Sequence, residues 1–174
     1  MISSTIITHV KGVCKAGLAS IGFFYFDFKD QSKQDARGAL SSLLTQFAAQ
    51  SDAHCESLSA LYSAHNAGSH QPGEAELREC LSNMLSFRHR GPMFIILDAI
   101  DESPNSTGTP SPRGRVFEFV EWLLNFQCSN FSVCVTSRPE SDIEAVFGPW
   151  YPIRFLFMAR KDKRKILLIT SSGS

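Results

Sequence analysis

The sequence predicts an α/β protein built on a largely parallel sheet, because apolar residues change repeatedly between helical spacing and the short runs of buried strands. Its 174 residues are enough for one domain. Helical blocks place apolar side chains three and four positions apart. The strand-like runs between the helices are Ile21–Phe28, Met93–Leu97 and Phe131–Val135.

The first half of the chain predicts four helices and one strand. A helix over 2–14 is expected to end at Gly17, and the aromatic run 21–28 follows it as a buried strand. Three more helices come next, with a Gly- and Pro-containing loop at 66–73 between the last two. Their predicted core faces are Leu40, Leu43, Leu44 and Phe47; Leu58, Leu61 and Tyr62; and Leu77, Leu81, Met84 and Leu85.

The second half predicts two strands and two helices. Met93–Leu97 is uninterrupted by polar residues, which is typical of a central parallel strand. A surface loop over 103–115 follows, with Ser111-Pro112 suited to cap the next helix. After the third strand, Pro139 is expected to open a short helix. The inward residues predicted for the longer helix are Val116, Val120, Leu123 and Leu124.

Charge is balanced over the whole chain but not along it. Lys and Arg number 17, as do Asp and Glu, yet residues 1–149 carry a net −5 and residues 150–174 a net +5. The zero total argues against a protein held to nucleic acid by its overall charge. The segment 153–158 is a candidate strand within an otherwise basic tail.

The cysteines and the termini favour a cytoplasmic protein. Five cysteines, an odd number without a CxxC pair, indicate free thiols of a reducing compartment. No histidine has the spacing of a zinc ligand. We expect no signal peptide and no membrane span, because no apolar run reaches the required length.

Acidic residues follow the second predicted strand. Asp98 closes that strand, and Asp101 and Glu102 come within four residues of it. The carboxyl edge of an open α/β sheet is where ligands bind. Three neighbouring carboxylates suit Mg²⁺, which prefers oxygen ligands. For an acidic cluster taken alone, a solvated acidic turn without a ligand is an equal alternative to a metal site.

The third predicted strand ends at the same edge with Thr136, Ser137 and Arg138. Two hydroxyls and a guanidinium are groups that contact phosphate oxygens. Taken alone, this stretch favours a simpler interpretation in which Arg138 pairs at the surface with Glu140 or Asp142. Acids and an arginine on one edge together indicate a metal and phosphate site.

Together the two strand ends resemble the Walker B and sensor 1 motifs of NACHT-type STAND NTPases, a class of P-loop NTPases. Three other segments are similar to the nephrocystin-type N-terminal NACHT modules of fungal NLR-like proteins. They are the strand 23–28, the helix containing Ser41–Gln46 and the segment Tyr62–His65. The resemblance covers about residues 3–147. It implies a three-layer P-loop NTPase-like fold, with a partial NACHT domain at 1–149 and a tail at 150–174 unlike the family.

The resemblance also implies roles for the edge residues. Asp98 would be the Walker B acid that holds Mg²⁺, and Asp101 and Glu102 would position or activate the attacking water. Arg138, with Thr136 and Ser137 beside it, would contact the γ-phosphate of ATP or GTP.

The phosphate cradle of the family, GxxxxGK followed by Ser or Thr, is not found in the sequence. Gly12 to Gly17 has the glycine spacing but lacks the Lys-Ser/Thr pair. By resemblance, the cradle and its strand would lie just before Met1, so we expect a domain truncated after Walker A that hydrolyses ATP negligibly.

Three functions are weighed. The favoured one is a fragment of a nucleotide-binding signalling switch. The second is a non-catalytic regulatory fragment that forms a homo- or hetero-oligomer with NACHT proteins through a sheet edge. The third, a hydrolase using Asp98 and Asp101 as an acid and base, is weaker, because residues three apart on one turn do not straddle a substrate bond.

Overall fold

The computed structural model describes residues 19–65, 70–87, 91–106, 110–126, 128 and 130–148, together with the backbone of 165–170. The expected N-terminal helix and the candidate strand at 153–158 lie outside these residues. The described elements are β1 (Ser20–Tyr25), a 3₁₀ turn (Gln31–Lys33), α1 (Ala36–Ala48), α2 (Asp52–Ala64), α3 (Glu74–Ser86), β2 (Met93–Asp98), a second 3₁₀ turn (Ile100–Glu102), α4 (Pro112–Leu124), β3 (Phe131–Ser137), α5 (Ser141–Phe147) and β4 (Lys165–Thr170).

The sheet has the strand order β1-β2-β3-β4. The first three strands are parallel, and β4 runs antiparallel to β3. In register, Tyr25 lies opposite Asp98 and Leu97 lies opposite Val135, so the carboxyl ends of the parallel strands meet at one edge. The α/β class and the central position of β2 are therefore confirmed.

The described helices that build the core lie on one face of the sheet. Strands β1, β2 and β3 succeed each other in one direction, and right-handed crossovers then place every connection on the same side. The inward strand residues alternate, as the two-residue period of a strand requires. They are Phe24, Met93, Ile95, Leu97, Phe131, Val133 and Val135, packed with residues of α1, α3, α4 and α5.

The other face of the sheet is buried as well. Ile21, Ile96 and Cys134 alternate with the core residues along their strands, and they are 4%, 2% and 4% exposed. The apolar composition of these strands reflects this two-sided burial.

Helix α2 departs from its predicted face. It packs on α1 and α3 rather than on the sheet, so Leu58 and Leu61 are only partly buried and Tyr62 is 57% exposed. Its fully buried residue is His54, whose two ring nitrogens lie 3.3 Å and 3.1 Å from the carbonyl oxygens of Phe47 and Met84. The periodicity predicted a helix correctly but could not tell which layer it joins.

Two boundaries and one further strand also differ from the predictions. Strand β1 ends at Tyr25, and Phe28 is 58% exposed because the chain turns at Asp27, whose carboxylate accepts from the Lys29 N–H. Helix α5 begins at Ser141, two residues after Pro139. Strand β4, within the basic tail, was not predicted.

The other elements follow their sequence signals. The side chain of Ser111 accepts from the Gly114 N–H and Pro112 occupies the first turn of α4, as predicted for the cap.

Among the described residues, none of the helices combines the length and the apolar character needed to cross a bilayer.

Candidate functional site

The carboxylate of Asp98 is held at the end of the central strand. Asp98 is the last residue of β2 and is 3% exposed. The Thr136 hydroxyl, from β3, donates a hydrogen bond to Asp98 Oδ1 and accepts one from the Ala99 N–H at 3.0 Å. One hydroxyl therefore fixes both the carboxylate and the first peptide after the strand.

The chain reverses immediately after Asp98. Ala99 has φ 61° and ψ 49°, a left-handed conformation that costs a non-glycine residue about 1–2 kcal/mol. Strain of this kind persists where neighbouring contacts hold it, and here the Thr136 hydroxyl holds the Ala99 N–H. The turn starts the 3₁₀ segment that carries Asp101 and Glu102 to the carboxyl edge.

Asp101 and Glu102 both turn toward Arg138. Asp101 Oδ1 accepts from the Arg138 backbone N–H at 3.0 Å, and its Oδ2 lies 3.1 Å from Arg138 Nε. Glu102 Oε1 pairs with Nη2 of the same guanidinium. The Asp101 side chain is 1% exposed, the Glu102 side chain 15% and the Arg138 side chain 55%. Arg138 thus offers an accessible guanidinium that two acids keep in place.

We call Asp98, Asp101, Glu102, Thr136 and Arg138 the carboxyl-edge cluster. The structure brings together these five of the six residues that the sequence proposed. Ser137 lies elsewhere: it is 7% exposed, opposite Lys165 of β4, and by strand alternation it is on the other face from Thr136.

The expected convergence of three carboxylates on one cation is not how the described residues are arranged. Within that part of the chain, no three His, Cys, Asp or Glu side chains form a group able to hold a metal ion. Arg138 supplies the compensating charge for Asp101 and Glu102. Asp98 and Thr136, which are hydrogen-bonded to each other, provide a carboxylate and a hydroxyl. These are oxygen donors of the kind that suits Mg²⁺.

Arg113, which was not among the residues predicted from the sequence, organises the surroundings of the cluster. This residue of α4 is 8% exposed. Its guanidinium donates to the carbonyl oxygens of Ser103 at 3.0 Å and Asp101 at 2.5 Å, and to the carboxylates of Glu140 at 2.5 Å and Asp142 at 3.1 Å.

These partners correct the pairing expected for Arg138, since Glu140 and Asp142 belong to Arg113. Burial acts to lower the pKa of Arg113, but hydrogen bonds and charges from Glu140 and Asp142 outweigh it, so the pKa of Arg113 is raised. The signal available in the sequence was a charged residue in line with the apolar stripe of Val116, Phe117 and Val120.

The charge of Asp98 acts on two neighbouring weak acids. Burial, with a further contribution from the Asp98 carboxylate, raises the pKa of Cys134 to about 12. The same two causes raise the pKa of Tyr25. Both groups therefore stay neutral near pH 7, and neither thiolate nor phenolate chemistry is available beside Asp98.

One family comparison matches most of the chain. The family model described as "Nephrocystin 3, N-terminal" matches residues 1–138 and so includes the whole carboxyl-edge cluster. No curated protein and no solved structure matches the chain.

Proposed function

The chain belongs to the nephrocystin 3 N-terminal family, and from this membership and the carboxyl-edge cluster we propose a nucleotide-binding signalling domain related to NACHT-type STAND NTPases. On this proposal the sheet is the centre of a three-layer P-loop NTPase-like fold. The observation that carries the proposal is the buried Asp98 carboxylate, held by Thr136 at the carboxyl end of the central parallel strand.

The side chains at this edge include some of the groups that would bind a nucleotide and its cation. Asp98 and Thr136 would hold Mg²⁺, directly or through water, with oxygen ligands. Bound Mg²⁺ would neutralise phosphate charge. Arg138 is exposed on the same edge and would contact phosphate oxygens after releasing Glu102.

The geometry separates the two acids proposed to act on water. Both oxygens of Asp101 are engaged by Arg138 and its side chain is 1% exposed, which supports a positioning role for Asp101. Glu102 contacts Arg138 at the guanidinium end and is more exposed at 15%. We therefore assign Asp101 to hold Arg138 and Glu102 to orient water when Arg138 moves to the phosphate.

Residues 1–174 contain no GxxxxGK motif to cradle the phosphates. A single preorganised donor can be worth about 3–4 kcal/mol. If lost contacts to the phosphates weakened binding by a similar amount, an affinity would shift from about micromolar to about millimolar. We expect weak nucleotide binding and negligible hydrolysis by these residues alone.

A titration with ATP and Mg²⁺, followed by backbone amide NMR, tests this function. We expect roughly millimolar binding, with Mg²⁺-dependent shifts at Asp98, Thr136 and Arg138. Asp98→Asn keeps the acceptor for Thr136 but removes the charge, and it should abolish these shifts. Glu118→Gln, at an exposed position of α4, is the matched control and should bind like the parent.

Two results would contradict these expectations. No shifts at this edge at millimolar ATP and Mg²⁺ would contradict nucleotide binding. Micromolar affinity would contradict the argument from the missing phosphate cradle.

The second candidate is a non-catalytic regulatory module that assembles with NACHT proteins. One observation favours it: Asp101 and Glu102 already neutralise the arginine that would bind phosphate. If this alternative is right, the chain will co-elute with an intact NACHT protein in gel filtration, while ATP and Mg²⁺ leave the edge unperturbed.

A further inference from the structure

The outer edge of β1 is covered by two glutamine side chains. Among the described residues, β1 is the outermost strand of the sheet and pairs with β2 on its inner side. The Ser20 and Phe26 N–H groups donate toward β2, to Pro92 and Asp98 carbonyl oxygens. The intervening alternate residues of the strand point their backbone groups away from β2.

Each glutamine forms a paired contact with one outward residue. Gln50 Oε1 accepts from the Ile21 N–H at 2.9 Å, and Gln50 Nε2 donates to the Ile21 carbonyl at 2.7 Å. Gln46 Oε1 accepts from the Phe23 N–H at 3.1 Å, and Gln46 Nε2 donates to the Phe23 carbonyl at 2.8 Å. A side-chain amide thus makes the two bonds that a neighbouring strand would make.

The match depends on the spacing of the two elements. Gln46 lies on α1 and Gln50 lies two residues beyond its last residue, Ala48; four residues of helical chain correspond to about 6 Å. Ile21 and Phe23 are two residues apart on β1, or about 6.6 Å. The amides are further fixed because Nε2 of Gln46 donates to Ser42 Oγ at 2.9 Å and Nε2 of Gln50 donates to the Gln46 carbonyl at 2.7 Å.

The strand itself has none of the usual protections of an edge. Ser20–Tyr25 reads SIGFFY, without a charge or a proline. Its uncharged, aromatic sequence would suit antiparallel pairing with the same strand of a second copy. Such pairing is two-fold symmetric, so each copy would offer the N–H and carbonyl groups that the other needs.

We propose that Gln46 and Gln50 act as a substitute strand that keeps β1 from pairing with β1 of a second copy. The glutamines satisfy the backbone N–H and carbonyl groups of Ile21 and Phe23 without presenting a backbone of their own. The device is independent of nucleotide binding, since its residues are separate from the carboxyl-edge cluster.

The test replaces both glutamines in the full chain by methionine, which keeps length and helix propensity but removes the amide. Sedimentation velocity over a concentration series should show a monomeric parent and a self-associating Gln46→Met/Gln50→Met variant. Amide hydrogen exchange at Ile21 and Phe23 should accelerate about tenfold or more in the dilute variant and slow again on association.

The control variant Ser41→Met/Thr45→Met adds the same two side chains one turn apart at exposed positions of α1. It should stay monomeric with parental exchange. A folded double variant that remains monomeric at every concentration overturns the proposal. So does association in which Ile21 and Phe23 keep exchanging fast. If the double variant does not fold, Gln50→Met alone, at an exposed position, is judged by the same two readouts.

Discussion

At the scale of single residues, the Thr136 hydroxyl determines how the central strand ends. It donates a hydrogen bond to Asp98 and accepts one from the Ala99 N–H, so one oxygen atom contacts both the left-handed turn and the buried carboxylate. A buried polar group that loses its partner costs more than the hydrogen bond contributed. The position of the Asp98 carboxylate is therefore coupled to the stability of the fold.

We expect Thr136→Val to lower the free energy of unfolding by about 1–3 kcal/mol, because it leaves Asp98 and the Ala99 N–H without their shared partner. Urea unfolding monitored by circular dichroism measures this loss. Thr45→Val is the control, since that hydroxyl is exposed and bonds only to its own helix. Equal stabilities for the two variants would show that the Thr136 contact is dispensable.

Cys134 predicts how stability changes at high pH. Its pKa is about 12 in the folded protein, against 9.0 for an unperturbed thiol. Above pH 9 the unfolded chain loses this proton while the folded chain keeps it, so stability falls as the pH rises toward 12. At pH 10 we expect a loss of about 1 kcal/mol.

The contribution of the Cys134 thiol is isolated by measuring the free energy of unfolding at pH 8 and pH 10. The measurement is made on the parent and on Cys134→Ala. The parent should lose about 1 kcal/mol more than the variant over that interval. Other titrating groups, including Tyr25, are present in both proteins and cancel in the comparison. Identical losses would mean that the thiol ionises as easily in the folded state as in the unfolded one.

At the scale of elements, Arg113 ties three segments together. It belongs to α4 and binds the carbonyl oxygens of the 3₁₀ turn at Asp101 and of Ser103, as well as acids at the start of α5. Asp101 in turn binds Arg138. The position of the accessible Arg138 guanidinium therefore depends on that of the buried Arg113 guanidinium. The helices thereby support the carboxyl edge.

Arg113→Met should lower the free energy of unfolding by about 3 kcal/mol, the low end for a broken buried ion pair, because water still reaches Glu140 and Asp142. Chemical denaturation measures the change. Arg115→Met removes an exposed arginine two residues along the same helix and should alter stability by less than about 0.5 kcal/mol. Similar effects of the two substitutions would contradict the role given to Arg113.

At the scale of the whole molecule, the outer edges of β1 and β3, the first and last of the parallel strands, are covered by different means. Side-chain amides cover β1, whereas the backbone of Lys165–Thr170 covers β3 as an antiparallel strand. An uncovered strand edge is a template for association. The basic tail therefore contributes to the architecture as well as to the charge balance.

Shortening the chain to residues 1–164 removes β4 and should expose the edge of β3. We expect concentration-dependent association in sedimentation velocity and faster hydrogen exchange of the β3 amides that face β4. A chain ending at residue 170 keeps β4 and serves as the control. Unchanged exchange in β3 after the shorter truncation would show that β4 does not protect that strand.

Local sequence patterns predicted most of the helices and strands, and the sheet edge at which polar residues meet. Local periodicity is enough to place helices and buried strands, and the polar residues that close β2 and β3 must meet because parallel strands share a carboxyl edge. The contacts between these side chains and the rest of the chain depend on the tertiary structure. Arg138 pairs with Asp101, Arg113 with Glu140, and Gln46 with Phe23. These pairs are 37, 27 and 23 residues apart in the chain, so no local pattern encodes them. Their choice depends on how the layers pack, as do the exposure of Tyr62 and the pairing of β4.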